Sequence, residues 1–359
     1  MRTSRVALSV AVPVLAVLLA ACGGGDPDNG ATDEPSTSSS SSASPSAEPS
    51  GSGTPAPVRK LAPEPCATKP DVTVGTADEL QDALDEAGPG DAIRVQDGTY
   101  EGEFEISESG TAAEPAELCG TAKAVLSGGP SDGGYTLHLD GADHWRILGI
   151  TLQGGQKGLM ADGTTGSLVD GITVKDTGDE AIHLRANSTD NIVQRATVRN
   201  TGLREEKFGE GIYIGTAESN WGDISNGKPD RSDRNVIRNN DIAQTTAESV
   251  DIKEGTTGGT LKDNTFSGVG MTEGDSWVDV KGNEWTIDGN RGDQAPEDGY
   301  KVLQILDGWG RQNVFTNNVS VVGGDGYGIN VTKQRDGNIV ECSNVARDAG
   351  EGLTTIDCT

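Results

Sequence analysis

The 359-residue chain has few aromatic residues, few histidines and few basic residues. Aromatics make up 4% of it, so a core built from this sequence has to rely on Ile, Val and Leu. No CxxC or HxxxH spacing occurs, which argues against a zinc site. The 28 Lys and Arg face 56 Asp and Glu, a net charge of −28 at pH 7. This charge argues against nucleic acid as a partner, and against an anionic substrate unless a local cationic patch or a metal intervenes.

One long apolar run is present, from Val6 to Ala21, after Arg2 and Arg5. It is short for a membrane span and has the layout of a secretory signal. The run ends in "LAAC", which resembles a bacterial lipoprotein signal in which Cys22 becomes the lipidated first residue. The alternative is an ordinary signal peptide with a chance cysteine. We therefore expect an exported protein, anchored through lipid on Cys22 to the outer face of the cell membrane.

The composition divides the chain into three parts. Residues 1–21 form the signal, and residues 22–65 are rich in Ser, Pro, Gly and acidic residues. The second part cannot bury a core and is typical of a disordered tether. Residues 66–359 are enough for one large domain, which we expect to be a monomer.

Four cysteines remain after Cys22, two near the start of the domain and two at its end. In an exported protein the expected pairs are Cys66–Cys119 and Cys342–Cys358, each of which would fasten one terminus. The other two connectivities stay open on sequence grounds.

Short β-rich segments with turn-forming Asn, Gly and Asp recur with a period near 24 residues. A constant period of this length predicts a parallel β-helix, in which each repeat forms one coil and neighbouring coils pair as parallel strands. A β-sandwich is the alternative, but it would not require a period. An internal ladder of stacked asparagines is expected at Asn240, Asn264 and Asn283. The segments are anchored at Leu152, Val174, Val198, Ile242, Phe266, Trp285, Val319 and Val345.

The segment "TADELQDALDEA" predicts a helix ahead of the coils. Thr76 is placed to cap it, with Glu79 three residues later, and an apolar stripe includes Leu80 and Leu84. Such a helix would cover the open end of the coil stack, which otherwise exposes a sheet edge.

These features resemble a known group of proteins. "ADELQDALDEAGPGDAIRVQDGTYEG", followed by 22–26-residue coils, is similar to the right-handed parallel β-helix superfamily of pectate lyase-like proteins. Within that superfamily the opening resembles the polysaccharide lyases that include chondroitinase B and alginate lyases. The resemblance implies an all-β, right-handed parallel β-helix over nearly all of residues 71–359, and an extracellular polysaccharide as substrate.

Alignment of one strand per coil predicts columns of side chains on a single sheet. The inward pairs are Ile182/Leu184, Ile212/Ile214, Val250/Ile252, Val278/Val280, Leu303/Ile305 and Ile329/Val331. One outward column is His183, Tyr213, Asp251, Asp279, Gln304 and Asn330. The next outward column is Arg185, Gly215, Lys253, Lys281, Leu306 and Thr332.

Glu180, Glu210 and Glu248 lie just ahead of three successive strands. Adjacent coils are about 4.8 Å apart, and like charges stacked this closely destabilise a sheet. A Ca²⁺ ion held by the three carboxylates would offset the repulsion. The basic column of Arg185, Lys253 and Lys281 could do the same without metal. The remaining alternative is a solvated face of a very acidic protein.

The resemblance assigns roles to two residues of "ESVDIK". In the chondroitinase B-like group the calcium glutamate lies five residues before the catalytic lysine, which implies Glu248 as a Ca²⁺ ligand and Lys253 as the base. A lysine whose pKa is lowered by burial or by neighbouring cations can accept the proton next to a uronate carboxylate. The chain departs from the group because it has no Arg-His-Gly motif. Lys281 and Arg185 are the cations that could substitute, and His183 lies beside them.

Other residues of the same sheet are candidates for substrate contact. They are Tyr213, Asp251 and Asp279, together with Trp221 in an insertion of about 20 residues after Gly215. Trp221 could stack on a sugar or anchor its own loop. Two other function classes stay open, a glycoside hydrolase that uses Asp251 and Asp279, and a non-catalytic glycan-binding or structural surface protein.

Overall fold

The structure is a computed structural model, and it describes residues 61–332 and 337–359. The predicted signal, Cys22 and nearly all of the predicted tether lie outside these residues. Within them, no helix has the length and apolar character needed to cross a membrane.

The regular secondary structure of the described chain consists almost entirely of short strands. The first part contains β1 (Val72–Val74), α1 (Ala77–Glu86), β2 (Ala92–Val95), β3 (Gly98–Glu101), β4 (Phe104–Ile106), β5 (Ala116–Cys119), β6 (Ala124–Ser127), β7 (Tyr135–Asp140), β8 (Trp145–Leu148) and β9 (Thr151–Gln153). The middle contains β10 (Lys157–Asp162), β11 (Leu168–Asp170), β12 (Thr173–Lys175), β13 (Ile182–Arg185), β14 (Ile192–Gln194), β15 (Thr197–Arg199), β16 (Ile212–Ile214), α2 (Trp221–Ile224), β17 (Val236–Arg238), β18 (Asp241–Ala243), β19 (Val250–Ile252), β20 (Thr260–Lys262) and β21 (Thr265–Ser267).

The last part contains β22 (Ser276–Val280), β23 (Thr286–Asp288), β24 (Arg291–Asp293), β25 (Asp298–Val302), β26 (Val314–Thr316), β27 (Val319–Gly324), β28 (Tyr327–Val331), β29 (Ile339–Val340), β30 (Val345–Ala349) and β31 (Gly352–Thr354). Two 3₁₀ segments, Glu206–Phe208 and Glu218–Asn220, flank β16.

From β2 onward, each strand pairs in parallel with the strand three positions later in the chain, and the three sheets formed in this way wrap around one core. Sheet 1 has the order β1-β2-β5-β8-β11-β14-β17-β20-β23-β26-β29. Sheet 2 has the order β3-β6-β9-β12-β15-β18-β21-β24-β27-β30. Sheet 3 has the order β4-β7-β10-β13-β16-β19-β22-β25-β28-β31. This is the parallel β-helix that the repeat predicts.

The inward columns of sheet 3 confirm the predicted alternation on most coils. Ile182, Ile212, Val250 and Val278 lie in register on successive strands, and all four are fully buried. The predicted pair Leu303/Ile305 is wrong, because β25 ends at Val302 and its inward residues are Tyr300 and Val302. Lys301, not Gln304, therefore takes the outward position beside Asp279.

An asparagine ladder runs through the turns between sheets 1 and 2. Asn264 shows the pattern: its side-chain amide donates to the Ile237 carbonyl at 2.9 Å, and its side-chain oxygen accepts from the Asn240 backbone N–H at 2.9 Å. Asn283 does not belong to it, because Asn283 bonds the Gly308 carbonyl and the Arg311 backbone N–H in another turn. The members are Asn240, Asn264, Asn290, Asn318 and Asn344.

The predicted anchor Trp285 is also misplaced. In sheet 2, Gly292 occupies the column position next to Phe266, and Trp285 lies before β23. Gly292 is needed there because a Cβ atom would lie 2.4 Å from the buried Trp277 ring. A tryptophan from sheet 3 thus fills the volume that an aliphatic anchor fills on other coils.

Both ends of the stack are fastened. The Thr76 hydroxyl caps α1 by accepting from the Glu79 N–H at 3.2 Å, and Leu80 and Leu84 are buried against the first coils. The two predicted disulfides, Cys66–Cys119 and Cys342–Cys358, are present. Packing already begins at Glu64, whose backbone N–H donates to the Asp170 carboxylate at 3.1 Å.

Candidate functional site

Most of the predicted candidates lie on or just ahead of the outer face of β13, β16, β19 and β22, which we call the site face. The register places His183 beside Tyr213, Tyr213 beside Asp251 and Asp251 beside Asp279. One position later along the strands, the Lys253 N–H bonds the Ile214 carbonyl. The two outward columns predicted over these coils are therefore correct.

The residues of the site face differ in whether a ligand can reach them. Tyr213 and Lys253 are partly exposed. Asp251 is 2% exposed, Asp279 4% and His183 5%. The hydrolase alternative needs two carboxylates that contact a sugar and a water, so burial of both aspartates argues against it.

Asp251 and Asp279 are instead bound to lysines. The Lys253 Nζ lies 2.6 Å from one oxygen of Asp251, and the Lys281 Nζ lies 2.9 Å from the other. Lys281 also bonds Asp279 at 2.9 Å. Burial raises the pKa of the Asp251 carboxyl, but the two ammonium groups outweigh this effect and hold the pKa below its usual value.

The same ion pairs act on Lys253. Burial alone would lower the pKa of its ammonium group, but the Asp251 carboxylate more than compensates and raises that pKa above its ordinary value. The expectation of a lysine with a lowered pKa is therefore wrong for the free protein. The contact with Asp251 therefore favours the protonated form of Lys253.

The three stacked glutamates do not form one group. Glu180 is paired with the ammonium group of Lys157, and its carboxylate lies 3.4 Å from the His183 Nδ1. Burial would raise the pKa of Glu180, but His183 and Lys157 lower it to about 2. Asp251, rather than Glu180, completes a cluster in which oxygens of Glu210, Glu248 and Asp251 lie within 4.8 Å of one another.

This cluster has an unbalanced buried charge. One oxygen of Glu210 is buried without a hydrogen-bond partner. Burial and then the neighbouring carboxylates raise the pKa of Glu210 well above its usual value, and that of Glu248 to about 8. The cluster, with Asp279, has four carboxylates against the ammonium groups of Lys253 and Lys281. Two protons or one divalent cation would balance this charge. Carboxylate oxygens are the ligands that Ca²⁺ prefers, so the cluster suits this ion chemically. Both Asp251 oxygens, however, are already bound to lysines.

His183 holds the neighbouring groups rather than facing the solvent. Its Nε2 lies 3.0 Å from the Gly215 carbonyl, which can only accept, so Nε2 carries the proton. Its ring packs edge-on against Tyr213, with centroids 4.4 Å apart. This arrangement holds the His183 ring against Tyr213 and keeps it out of the solvent.

Tyr213 and Lys253 meet at the surface of the site face. The Lys253 Nζ lies 4.7 Å from the centroid of the Tyr213 ring. Burial, followed by the nearby Asp251 and Glu210 charges, raises the pKa of the Tyr213 hydroxyl, so Tyr213 keeps its proton. Gly215 leaves space between the coils, since a Cβ there would lie 3.4 Å from the Lys253 Cβ and 2.6 Å from Thr256.

Arg185 belongs to the upstream part of the face. Its Nε donates to Asp162 at 2.6 Å, and the His138 ring nitrogen lies 3.0 Å from the same carboxylate. Arg185 is therefore fixed by Asp162, in an ion-pair group separate from that of Lys253 and Lys281. It still lines the same cavity as Tyr213.

Trp221 is buried. Its indole N–H donates to the Thr216 carbonyl at 2.8 Å, and the residue is 9% exposed. This contact favours the loop-anchoring alternative over sugar stacking. Asp230 fixes the other end of the insertion, where its fully buried carboxylate accepts from the Ala186 and Asn187 N–H groups.

A cavity of about 670 Å³ opens over Tyr213 and Lys253. Its walls are the connectors before and after β16, and its size suits a small-molecule or oligosaccharide ligand. It lies on the upstream side of Lys253, since Lys281 and Asp279 do not line it. The cationic side chains that line it are Lys157, Arg185, Arg204, Lys207 and Lys253.

Sequence reasoning missed Lys157, Arg204, Lys207 and Phe208. Lys157 lies in β10, the strand that pairs with β13, so extension of the alignment by one coil would have found it. The other three lie in the connector between β15 and β16, which is longer than the one between β12 and β13. The extra length of this connector is the feature of the sequence that could have indicated these three residues.

The parallel β-helix with this cavity on one sheet has the architecture of pectate lyase-like proteins. Among solved structures, an alginate lyase from Paenibacillus sp. str. FPU-7 is similar to 79% of this chain and 98% of its own, with 35% identity and a TM-score of 0.73. The chain belongs to the family of that alginate lyase, which confirms the predicted relationship to β-helical polysaccharide lyases.

More distant structures share the fold alone. The pectate lyase Pel9A is 14% identical over 81% of this chain and 78% of its own, with a TM-score of 0.58. A rhamnogalacturonan lyase is 13% identical over 79% of this chain and 85% of its own, with a TM-score of 0.61. No family model matches the chain, and a search of curated proteins found no match.

Proposed function

We propose that this protein is a polysaccharide lyase that cleaves a uronate-containing polysaccharide, with alginate as the first candidate. The observation that carries the proposal is the contact between Lys253 and Tyr213, 4.7 Å from ammonium to ring centroid, at the accessible floor of a cavity that five cations and four carboxylates line. The similarity to an alginate lyase supports the choice of substrate.

The reaction is a β-elimination. A base removes the proton from the carbon next to the carboxylate, the electron pair forms a carbon–carbon double bond, and the bond to the glycosidic oxygen breaks. The leaving oxygen then takes a proton from an acid. Lys253 is the base in this proposal, and Tyr213, which retains its proton, is the acid.

The uronate carboxylate has to be neutralised for the carbanion-like intermediate to form. No Arg-His-Gly motif supplies a cation, so Arg185 and Lys157 on the upstream coils are the proposed sources of positive charge. Lys281 is buried against Asp251 and Asp279, which makes it a positioning residue for Lys253.

A Ca²⁺ ion is proposed as an additional component, with Glu210, Glu248 and Asp251 as the residues that would hold it. It would add Lewis-acid charge near the substrate carboxylate. Added Ca²⁺ should raise the melting temperature of the wild type, and Glu210→Gln and Glu248→Gln should each abolish the rise. A melting temperature that is unchanged by Ca²⁺ or chelator would favour the protonated, metal-free network.

Non-catalytic glycan binding is the second candidate, and the raised pKa of Lys253 favours it, because a protonated lysine binds a carboxylate but removes no proton. Release of unsaturated uronate should be measured from alginate, pectate and chondroitin sulfate by the ultraviolet absorbance of the conjugated double bond. We expect product from alginate with the wild type and none with Lys253→Ala or Lys253→Arg. Retention on all three polymers without any product would support binding alone.

We also propose that the protein is exported and held at the cell surface through lipid on Cys22. Two disulfides fit an oxidising compartment outside the cytoplasm. Cys22→Ser should move the protein from the membrane fraction to the medium, without change in its sedimentation as a monomer. Equal membrane retention of this variant would exclude the lipid anchor.

A further inference from the structure

One phenylalanine lies exposed in the cavity, whereas the other three phenylalanines fill the core. Phe104, Phe266 and Phe315 are buried, whereas Phe208 is 40% exposed. Phe208 lines the same cavity as Tyr213 and Lys253. With Trp221 buried, Phe208 is the apolar ring that a sugar could reach at the wall of this cavity.

The connector that carries Phe208 is held firmly. Arg204 forms two hydrogen bonds to Asp179, at 2.9 and 2.6 Å, which fix the connector to the preceding coil. The Thr201 hydroxyl donates to the Gly209 carbonyl at 2.5 Å, and the Thr246 hydroxyl donates to the Glu206 carbonyl at 2.6 Å. The ring is thus presented by a pinned loop, so little conformational entropy is lost when it contacts a ligand.

A cation accompanies the ring. The Lys207 Nζ lies 4.6 Å from the centroid of the Phe208 ring and 2.6 Å from the Glu205 carboxylate, a half-exposed ion pair that a substrate carboxylate would have to replace. A uronate sugar offers an apolar face of C–H groups and a carboxylate. The pairing of a flat apolar ring with an ammonium group matches both features, the ring by packing and the ammonium by charge.

We propose that Phe208 and Lys207 form a sugar-binding subsite for a uronate unit adjacent to the one that contacts Lys253 and Tyr213. The proposal rests on the proposed polyuronate substrate, but it concerns binding and does not require that the bond be cleaved. Phe208 would orient the polysaccharide and would take no part in proton transfer.

The test measures binding in a Lys253→Ala background, in which the ligand stays intact. Calorimetric titration with an alginate tetrasaccharide should give a dissociation constant about three- to tenfold higher when Phe208→Ala is added. Phe208→Trp should keep the affinity. Leu203→Ala is the matched control, since Leu203 is 52% exposed on the same connector but does not line the cavity.

A second readout separates this proposal from the proposed function. In the active protein, Phe208→Ala should raise KM about as much as it weakens binding, and kcat should stay within twofold. Binding of the tetrasaccharide without cleavage by the wild type would refute the lyase proposal and leave the subsite intact. Equal affinity in the Phe208→Ala and Leu203→Ala proteins, both with unchanged melting temperature, would overturn the subsite.

Discussion

Lys253 is held by Asp251 in a position that both orients its ammonium group and keeps it protonated. A base must be unprotonated, so the proposed role implies that only a minor fraction of the protein is ready to react at neutral pH. We predict that kcat/KM rises with pH through the neutral range and continues to rise above about pH 9. The measurement is a pH–rate profile on alginate. A rate that falls steadily with rising pH would show that Lys253 acts as the acid.

Glu248 gives a pH dependence of stability with a defined sign. Its pKa is raised to about 8 in the folded state, whereas an unfolded glutamate titrates at about 4.3. At pH values between these two pKa values, Glu248 is protonated in the folded state and ionised in the unfolded state. The free energy of unfolding should therefore fall as pH rises from about 4.3 to 8.

We predict that Glu248→Gln, which is neutral at every pH, reduces the decrease in melting temperature between pH 5 and pH 8 by several degrees. The comparison is by thermal melting without divalent cations. Glu101→Gln, at an exposed position, should melt like the wild type at both pH values. Identical pH dependence in the wild type and Glu248→Gln would contradict the account.

The asparagine ladder is the element that fixes the turns between sheets 1 and 2. Asn264→Ala would leave the Ile237 carbonyl and the Asn240 backbone N–H without their partners in a buried turn. We predict a loss of about 3–5 kcal/mol in the free energy of unfolding, measured by denaturant titration. Thr265→Ala, one residue later and exposed, should cost less than about 1 kcal/mol. Similar losses in the two variants would mean that the ladder is not a stabilising element.

At the scale of strands, the sequence predicted the site face well and its downstream coils less well. The alternation of Ile182, Ile212, Val250 and Val278 identifies the inward column, and the outward column follows from it. The prediction failed at β25, because Tyr300 replaces an aliphatic residue in the core and the apolar Leu303 and Ile305 offered a false match. The alternation of apolar residues cannot distinguish the register with Tyr300 and Val302 inward from the one with Leu303 and Ile305 inward.

The contacts between side chains of different coils could not be read from the sequence. Glu180, Glu210 and Glu248 each lie two residues before the first residue of a strand, so the sequence gives them equivalent positions. In the structure, however, Glu180 forms a separate ion pair with Lys157. Likewise, Trp277 of sheet 3 explains Gly292 of sheet 2, which no pattern within one strand reveals. These features depend on packing through the core and on neighbours about one coil away.

At the scale of the whole molecule, the sheets end at the two ends of the stack, and a disulfide fastens each end. The Cys342–Cys358 bridge closes 16 residues and the Cys66–Cys119 bridge closes 53. We predict that Cys342→Ser/Cys358→Ser lowers the free energy of unfolding by about 3 kcal/mol, and Cys66→Ser/Cys119→Ser by about 4 kcal/mol.

Denaturant midpoints of the two double variants check these values, with the reduced wild type as control. The site face lies on central coils, so both variants should keep the activity of the wild type at a temperature where they stay folded. Loss of activity in a fully folded variant would show that the ends are coupled to the site.

The central claim is that the cavity over Lys253 and Tyr213 performs β-elimination on a polyuronate. The most direct measurement is mass spectrometry of the products formed from alginate by the wild-type protein, with Lys253→Ala as the inactive control. We predict oligosaccharides one water lighter than hydrolysis would give, each with an unsaturated sugar at its new end, and none from the variant. Saturated products, or equal amounts of product from Lys253→Ala, would contradict the account.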